Sequence, residues 1–401
     1  SDAERELLER MMRGEGRDQA APVPPVTPRT ADAMIPLSAD QRQIWLHASM
    51  APDAPLYNES ITIHRLGSCD LDALRRAVNE ILRRHEAWRT GFELVDGELV
   101  QIVHPHQPLD IPLSDVSHLP EAERDAAALA LGSDDARKAI DLAEAPLLRA
   151  RIVRLAEDNH RIYFTLCHLI FDGVSIYRII VPELAALYAA FAAGEPSPLP
   201  EPVLQYGDYS VWQQDYLESA PVKRQLNHWR TALAGAPTKL ELAGDKPRPV
   251  ERTHAGSMEV FEIPLALTEA LKELSKREGA TLYMVLLAAY QAMLHRYTDE
   301  EDIVVGGVTD LRRRPELERL VGYFLNTMAL RSKPRGELTF RAFLGEVRDS
   351  VLGALGASEV PFDMVVREMK IRGEPGAHPL FNLLFSIEPP VDPFPEGWDL
   401  T

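Results

Sequence analysis

The segment Arg161 to Tyr188, RIYFTLCHLIFDGVSIYRIIVPELAALY, constrains the fold more than any other stretch. It opens on an alternating run. Ile162, Phe164, Leu166 and His168 share one parity, and Tyr163, Thr165 and Cys167 share the other. A strand sends successive side chains to opposite faces, so Cys167 and His168 diverge if the strand reaches His168. Gly173 follows, where a chain leaving a strand often takes positive φ. Ser175 is placed to cap a helix carrying Ile176, Ile179, Ile180, Leu184, Leu187 and Phe191. Pro182 falls inside that helix and predicts a kink or break near Ile179 to Val181.

This pattern sets an imidazole at a strand end and a carboxylate, Asp172, four residues on. An imidazole of near-neutral pKa is the usual general base toward an amine or hydroxyl. The same residues also read as a satisfied core His followed by a capping Asp-Gly turn, and the local sequence leaves both readings open. Cys167 beside His168 raises a thiol-nucleophile hypothesis, which strand parity opposes.

The run Cys167-His168-Leu169-Ile170-Phe171-Asp172-Gly173 is similar to the H-H-x-x-x-D-G signature of condensation domains of nonribosomal peptide synthetases, in the chloramphenicol acetyltransferase-like superfamily. Pro36 to Trp45 resembles the family's opening P-L-S-x-x-Q-x-x-x-W motif, and Arg84 to Phe92 its R-H-E-x-L-R-T-x-F motif. Val321 to Thr327 resembles V-G-x-F-x-N-T, and His378 to Asn382 resembles H-P-L-F-x. One position departs: the first His of the signature is Cys167 here. The resemblance implies an α/β (α+β) fold of two acetyltransferase-like lobes in a V around a central tunnel. It implies that a carrier-bound amine attacks a carrier-bound thioester to form an amide, with His168 positioning or deprotonating the amine. Asp172 and Gly173 complete the implied catalytic set, with Gly173 or a neighbour offering an oxyanion donor. Cys167 takes the place of a structural His, and Arg89 is implied to pair with Asp172, which then orders the loop instead of moving protons. Asn326 is implied to line the tunnel or bridge the lobes, and Ser386 lies close to where the second lobe approaches it.

From the start of the chain, residues 1–34 read as an N-terminal extension, with a short helix over Glu4 to Arg13 and a Pro- and Ala-rich linker over Gly14 to Ala33. Residues 35–193 read as the first lobe. Ser38 and Gln41 fit a capping box. Tyr57 to Leu66 reads as a strand, and Asp70 caps a helix whose Arg75, Arg76, Arg83 and Arg84 form a solvated or carrier-receiving face. Asp96-Gly97 signals a hairpin. Leu119 to Leu142 looks helical, and Leu148 to Leu155 pairs with Arg161 to His168. Residues 194–205 form a Pro-rich hinge, and 206–401 a second lobe. There, helices are expected over Tyr206 to Leu217, Pro221 to Leu233, Leu267 to Leu274, Leu282 to Tyr297 and Leu338 to Leu355. Strands are expected over Met258 to Ile263, Asp302 to Val308 and Phe381 to Ile387, with a breaker-rich loop over Gly244 to Thr253. Gly306-Gly307 marks a close backbone approach. Arg312 and Arg313, in a run of three arginines, can meet the phosphate of a phosphopantetheine arm or an acidic carrier. The chain stops at Thr401 after a Pro-rich run, which reads as an incomplete second lobe.

Composition excludes several alternatives. A formal charge of -18 opposes nucleic acid and anionic membrane surfaces. Two cysteines are too few for a disulfide framework or a zinc site, and they fit a reducing cytoplasm. The His104-Pro105-His106 pair lacks further ligands, so no metal is expected. No apolar run is read as a membrane span. No cofactor is expected beyond the phosphopantetheine arms of donor and acceptor carrier proteins, which with neighbouring synthetase domains are the expected partners. An epimerisation domain, a freestanding acyltransferase and a non-catalytic docking module remain as competing readings.

Overall fold

The computed structural model describes residues 23–242, 244, 256–371, 378–388 and 393–400. The expected helix Glu4 to Arg13 and most of the loop Gly244 to Thr253 lie outside the described residues. The chain divides into two units. One holds Pro24–Asp215, the segment Arg312–Phe324 and the strand Trp398–Leu400; the other holds Tyr216–Leu311 and the described part of Leu325–Pro389.

The first unit begins with residues that are pinned to it. Arg29 meets Glu86 at 2.6 Å and Asp208 at 2.7 Å, and Val26 is buried, so 24–33 is docked chain and not a solvated linker. Strand β1 (Ile35–Pro36) pairs with β4 (Glu98–Val103). Helix α1 (Ala39–Ser49) opens on the expected capping box: Ser38 Oγ accepts from Gln41 N–H and Gln41 Oε1 accepts from Ser38 N–H. Strand β2 (Asn58–Leu66) leads to α2 (Leu71–Arg84), capped by Asp70 as expected. Strand β3 (Thr90–Val95) and β4 form the hairpin, turning on Asp96 and Gly97 with φ of 52° and 87°.

The short β5 (Leu113–Asp115) precedes α3 (Glu121–Ala136), which ends short of the expected Leu142, whose carbonyl accepts from Phe92 N–H. Strands β6 (Leu148–Ala156) and β7 (Asn159–Cys167) then complete a five-stranded sheet, ordered 398–400, β2, β7, β6, β5. Helix α3 covers one face, where Tyr163, Val153 and Leu155 pack with Ala128 and Val116. Phe164, of the opposite parity, meets Trp88 with ring centroids 6.1 Å apart. Ile162, Leu166, Leu74 and Ile81 are fully buried, each stabilising by roughly 1.5–3 kcal/mol.

Instead of the break expected near Ile179 to Val181, the backbone stays helical at Ile180 and Val181 and only the helix type changes: Ser175–Ile180 is π-helical, closed by Val181 N–H on Ile176 O, and α4 (Val181–Ala192) carries Pro182 in its first turn. The run Ser175–Ala192 is long and apolar enough to cross a membrane, which the sequence reading does not anticipate, but 61% of it is buried inside the protein as a core helix. The Pro-rich stretch 194–205 lies within this unit: Arg84 donates to the carbonyls of Leu199 and Pro200. Helix α5 (Tyr206–Leu217) follows.

In the second unit, α6 (Ala220–Ala232) buries Trp229, whose indole N–H donates to Ala357 O at 2.9 Å. Helices α7 (Leu265–Arg277) and α8 (Leu282–Thr298) precede β8 (Ile303–Asp310) and β9 (Leu325–Ser332). Then come α9 (Phe340–Gly356), α10 (Phe362–Glu368) and β10 (Leu384–Phe385). The sheet order is β10, β8, β9. A Cβ on Gly306 would stand 2.2 Å from the Phe381 ring, which accounts for the glycine there. Two strand expectations fail. Met258 to Ile263 is irregular, with Met258, Val260 and Phe261 exposed, because a strand needs a hydrogen-bonded neighbour and none pairs with it among the described residues. Phe381 to Ile387 shrinks to Leu384–Phe385, the length over which β8 offers pairing.

Candidate active site

His168 stands one residue past the end of β7. Its backbone N–H donates to Tyr57 O at 2.9 Å, which carries the ladder one step beyond Cys167. Its Nδ1 lies 3.1 Å from Phe171 O, and a carbonyl only accepts, so Nδ1 carries the proton. Its Nε2 lies 3.1 Å from Glu59 Oε2. The Phe171 ring stacks on the imidazole at 4.7 Å, and Tyr323 meets it edge-on at 5.5 Å. About a quarter of the His168 side chain, 26%, stays open. Burial alone would push this imidazole down, but the Glu59 carboxylate and the Phe171 carbonyl outweigh it and hold its pKa above the ordinary value. Cys167 is 2% exposed, and burial pushes its thiol up to about 11, far from a nucleophilic thiolate.

Asp172 is fully buried. Its carboxylate accepts from Arg312 Nη1 at 2.7 Å and Nη2 at 3.0 Å, from Ser175 N–H and Oγ at 2.8 and 2.9 Å, and from Phe324 N–H at 2.9 Å. A carboxylate so fully engaged orders the loop. Four sequence expectations change here. The counter-ion is Arg312, not Arg89. Arg89 instead donates to His104 O at 2.6 Å and lies 3.7 Å from Glu86. Arg312, expected to meet a carrier or its phosphate, has a side chain 3% exposed and is spent on Asp172. The capping role expected of Ser175 falls to Asp172, which accepts from Ser175 N–H, while Ser175 Oγ meets Gly322 N at 3.1 Å and Gly322 O at 3.0 Å. A Cβ on Gly322 would stand 1.9 Å from the Tyr206 ring, so the glycine of the V-G-x-F motif is required by contact. Gly173 is helical and does not take the left-handed conformation expected of it.

Other motif residues are held in ion pairs and hydrogen bonds. Arg84, expected on a solvated face, is 3% exposed and meets Glu183 at 3.2 Å, and His85 Nε2 meets the same carboxylate at 2.9 Å. In the second unit, Asn326 Nδ2 donates to Ser358 O and Val360 O at 2.8 and 2.7 Å, and its Oδ1 accepts from Thr327 and Phe362 N–H. That fully employed amide joins β9 to the start of α10. Ser386 is exposed just beyond β10, and Arg313 is partly exposed. Sequence reasoning missed Glu59, Tyr323 and Tyr206. Register could have found Glu59, since it sits opposite Leu166, on the parity of His168.

The condensation-domain family model matches residues 31–395. A linear gramicidin synthase polypeptide of Brevibacillus parabrevis is 38% identical over 378 residues, covering 94% of this chain and 5% of that protein. The chain thus spans about a twentieth of that relative's length. Among solved structures, the first condensation domain of the CDA synthetase superposes with a TM-score of 0.79 at 20% identity, over 93% of this chain and 85% of that one. The X-domain in complex with OxyB, from teicoplanin biosynthesis, gives 0.81 at 23% identity, over 96% and 84%. The five motifs, the mixed α/β fold and the family match lead to one assignment: the chain belongs to the condensation domains, the amide-forming acyltransferases of nonribosomal peptide synthetases.

Proposed function

We propose that this domain joins an acyl thioester on one carrier protein to the amine of an aminoacyl group on another, both tethered through phosphopantetheine arms. The observation that carries this reading is the partly open imidazole of His168, whose Nδ1 is fixed on Phe171 O so that Nε2 is the atom able to take a proton. The amine nitrogen attacks the thioester carbonyl, and its proton passes to Nε2. The C–S bond breaks, and the leaving thiolate takes that proton, so one amide and one free thiol form and the imidazole is restored. Gly173, as the first helical residue, has an N–H without an intrahelical acceptor, which supports an oxyanion-donor role. Holding both tethered reactants in place removes roughly 7–11 kcal/mol of barrier. The carriers and neighbouring synthetase domains are the partners in this reading, and two free cysteines suit a reducing cytoplasm.

The test is amide formation between two loaded carriers. His168→Ala is expected to lose about 10²–10⁴-fold in rate, the usual worth of a general base. Equal rates would end the role assigned to His168. A docking reading, in which the domain holds a partner protein as the teicoplanin X-domain holds OxyB, draws support from Cys167 in the signature. Amide from neither protein would favour it.

A further inference from the structure

Glu59 belongs to none of the motifs, yet it holds the one nitrogen on which the proposed chemistry turns. It is the second residue of β2, opposite Leu166 of β7, and its carboxylate lies 3.1 Å from His168 Nε2. The other sides of the ring are taken: Nδ1 by Phe171 O, one face by the Phe171 ring and an edge by Tyr323. Two acceptors facing the two ring nitrogens favour the doubly protonated imidazolium. The Glu59 side chain is 45% exposed, so it can swing away without opening a cavity in the core.

We propose that Glu59 is a positioning residue for amide formation, holding the His168 ring by its Nε2–H until the acceptor amine displaces the carboxylate. The role rests on the condensation reading. In the unloaded site the imidazolium–carboxylate pair fixes the ring in the orientation the amine will meet. The incoming acceptor carries an ammonium, which suits the same carboxylate. Once Glu59 turns to it, Nε2 loses its stabilising partner and releases its proton to water. The ammonium sheds one proton to water as it becomes the attacking amine. The second proton passes to Nε2 during attack and leaves with the thiol.

The titratable groups around the imidazole are Glu59 from β2, Asp172 from its own loop and Tyr323 from the segment 312–324. Asp172 is committed to Arg312 and Ser175. The Tyr323 hydroxyl is pushed up by burial and stays neutral, as does that of Tyr57, the residue whose carbonyl receives the His168 N–H. Glu59 is therefore the group whose removal changes the ring's protonation.

The experiment uses the full chain and follows the His168 ring resonances by NMR against pH, assigned with His168→Gln. In Glu59→Gln the His168 midpoint is expected to move to lower pH, and Glu59→Asp to return part of the way. The second measurement is amide formation with loaded carriers: the acidic limb of kcat/KM in Glu59→Gln should move to lower pH, and KM for the acceptor should rise. A His168 midpoint that stays put in Glu59→Gln overturns the proposal whatever the activity does. A shifted midpoint with an unmoved acidic limb overturns the catalytic role. A wild type that makes no amide, with the NMR shift intact, overturns the condensation reading and the role of Glu59 in it.

Discussion

Asp172 shows how much a buried carboxylate depends on its partners. With Arg312 removed, a charge with no exposure would keep only hydroxyl and amide donors. Breaking one side of a buried pair costs about 3–5 kcal/mol, so Arg312→Ala should lower the urea midpoint by that equivalent while Arg89→Ala lowers it far less. Equal losses would restore the Arg89 pairing that the family resemblance implied. That pairing illustrates what residue-scale reading can reach. The signature showed that a buried Asp needs a cation, but nothing local says which of two arginines, 83 residues before it or 140 after, the fold delivers. The fate of Cys167 was legible, because alternation alone turns it from His168, and it is buried with a raised thiol pKa.

At the scale of elements, α2 and α4 are joined by a buried knot of Arg84, His85 and Glu183. Burial pushes the Glu183 carboxyl up, but His85 and Arg84 outweigh that and hold it below the ordinary carboxylate value. A folded-state pKa lowered in this way adds stability that is present above the unfolded value, about 4.3, and is lost as pH falls through the folded one. Urea midpoints measured from about pH 6 down to about pH 3 should therefore fall more steeply for wild type than for Glu183→Gln, and parallel curves would refute the coupling. Elements with their own chemistry were legible: the Ser38–Gln41 box, the Asp70 cap, the Asp96-Gly97 turn. Those needing a neighbour were not. Met258 to Ile263 is rich in strand-forming apolar residues and has no described partner, while β9 starts on the last three residues of the V-G-x-F-x-N-T motif and runs on to Ser332, where Asn326, Thr327, Arg331 and Ser332 interrupt the apolar run.

At the scale of the whole molecule, the chain does not hand its units out in sequence order. Arg312–Phe324 belongs to the unit built mainly from Pro24–Asp215. It supplies Arg312 and Phe324 N–H to Asp172, Gly322 to Ser175, and Tyr323 to the His168 ring. A fragment ending at Leu311 keeps every signature residue and loses all of these contacts. It should show near-UV circular dichroism and urea unfolding without a cooperative transition, while a fragment plus the 312–324 peptide recovers part of the signal. A fully cooperative 1–311 fragment would contradict this. Fold class was legible from the order of motifs. The interleaving was not, because proximity across 140 residues leaves no periodic trace.

The same interleaving governs how such domains can be recombined. A hybrid that takes its front half from one parent and its back half from another inherits an aspartate from the first and that aspartate's guanidinium from the second. Crossovers placed by linear position will mix two sets of partners around one imidazole, whereas a graft that moves the thirteen-residue insert together with the front half keeps each set whole.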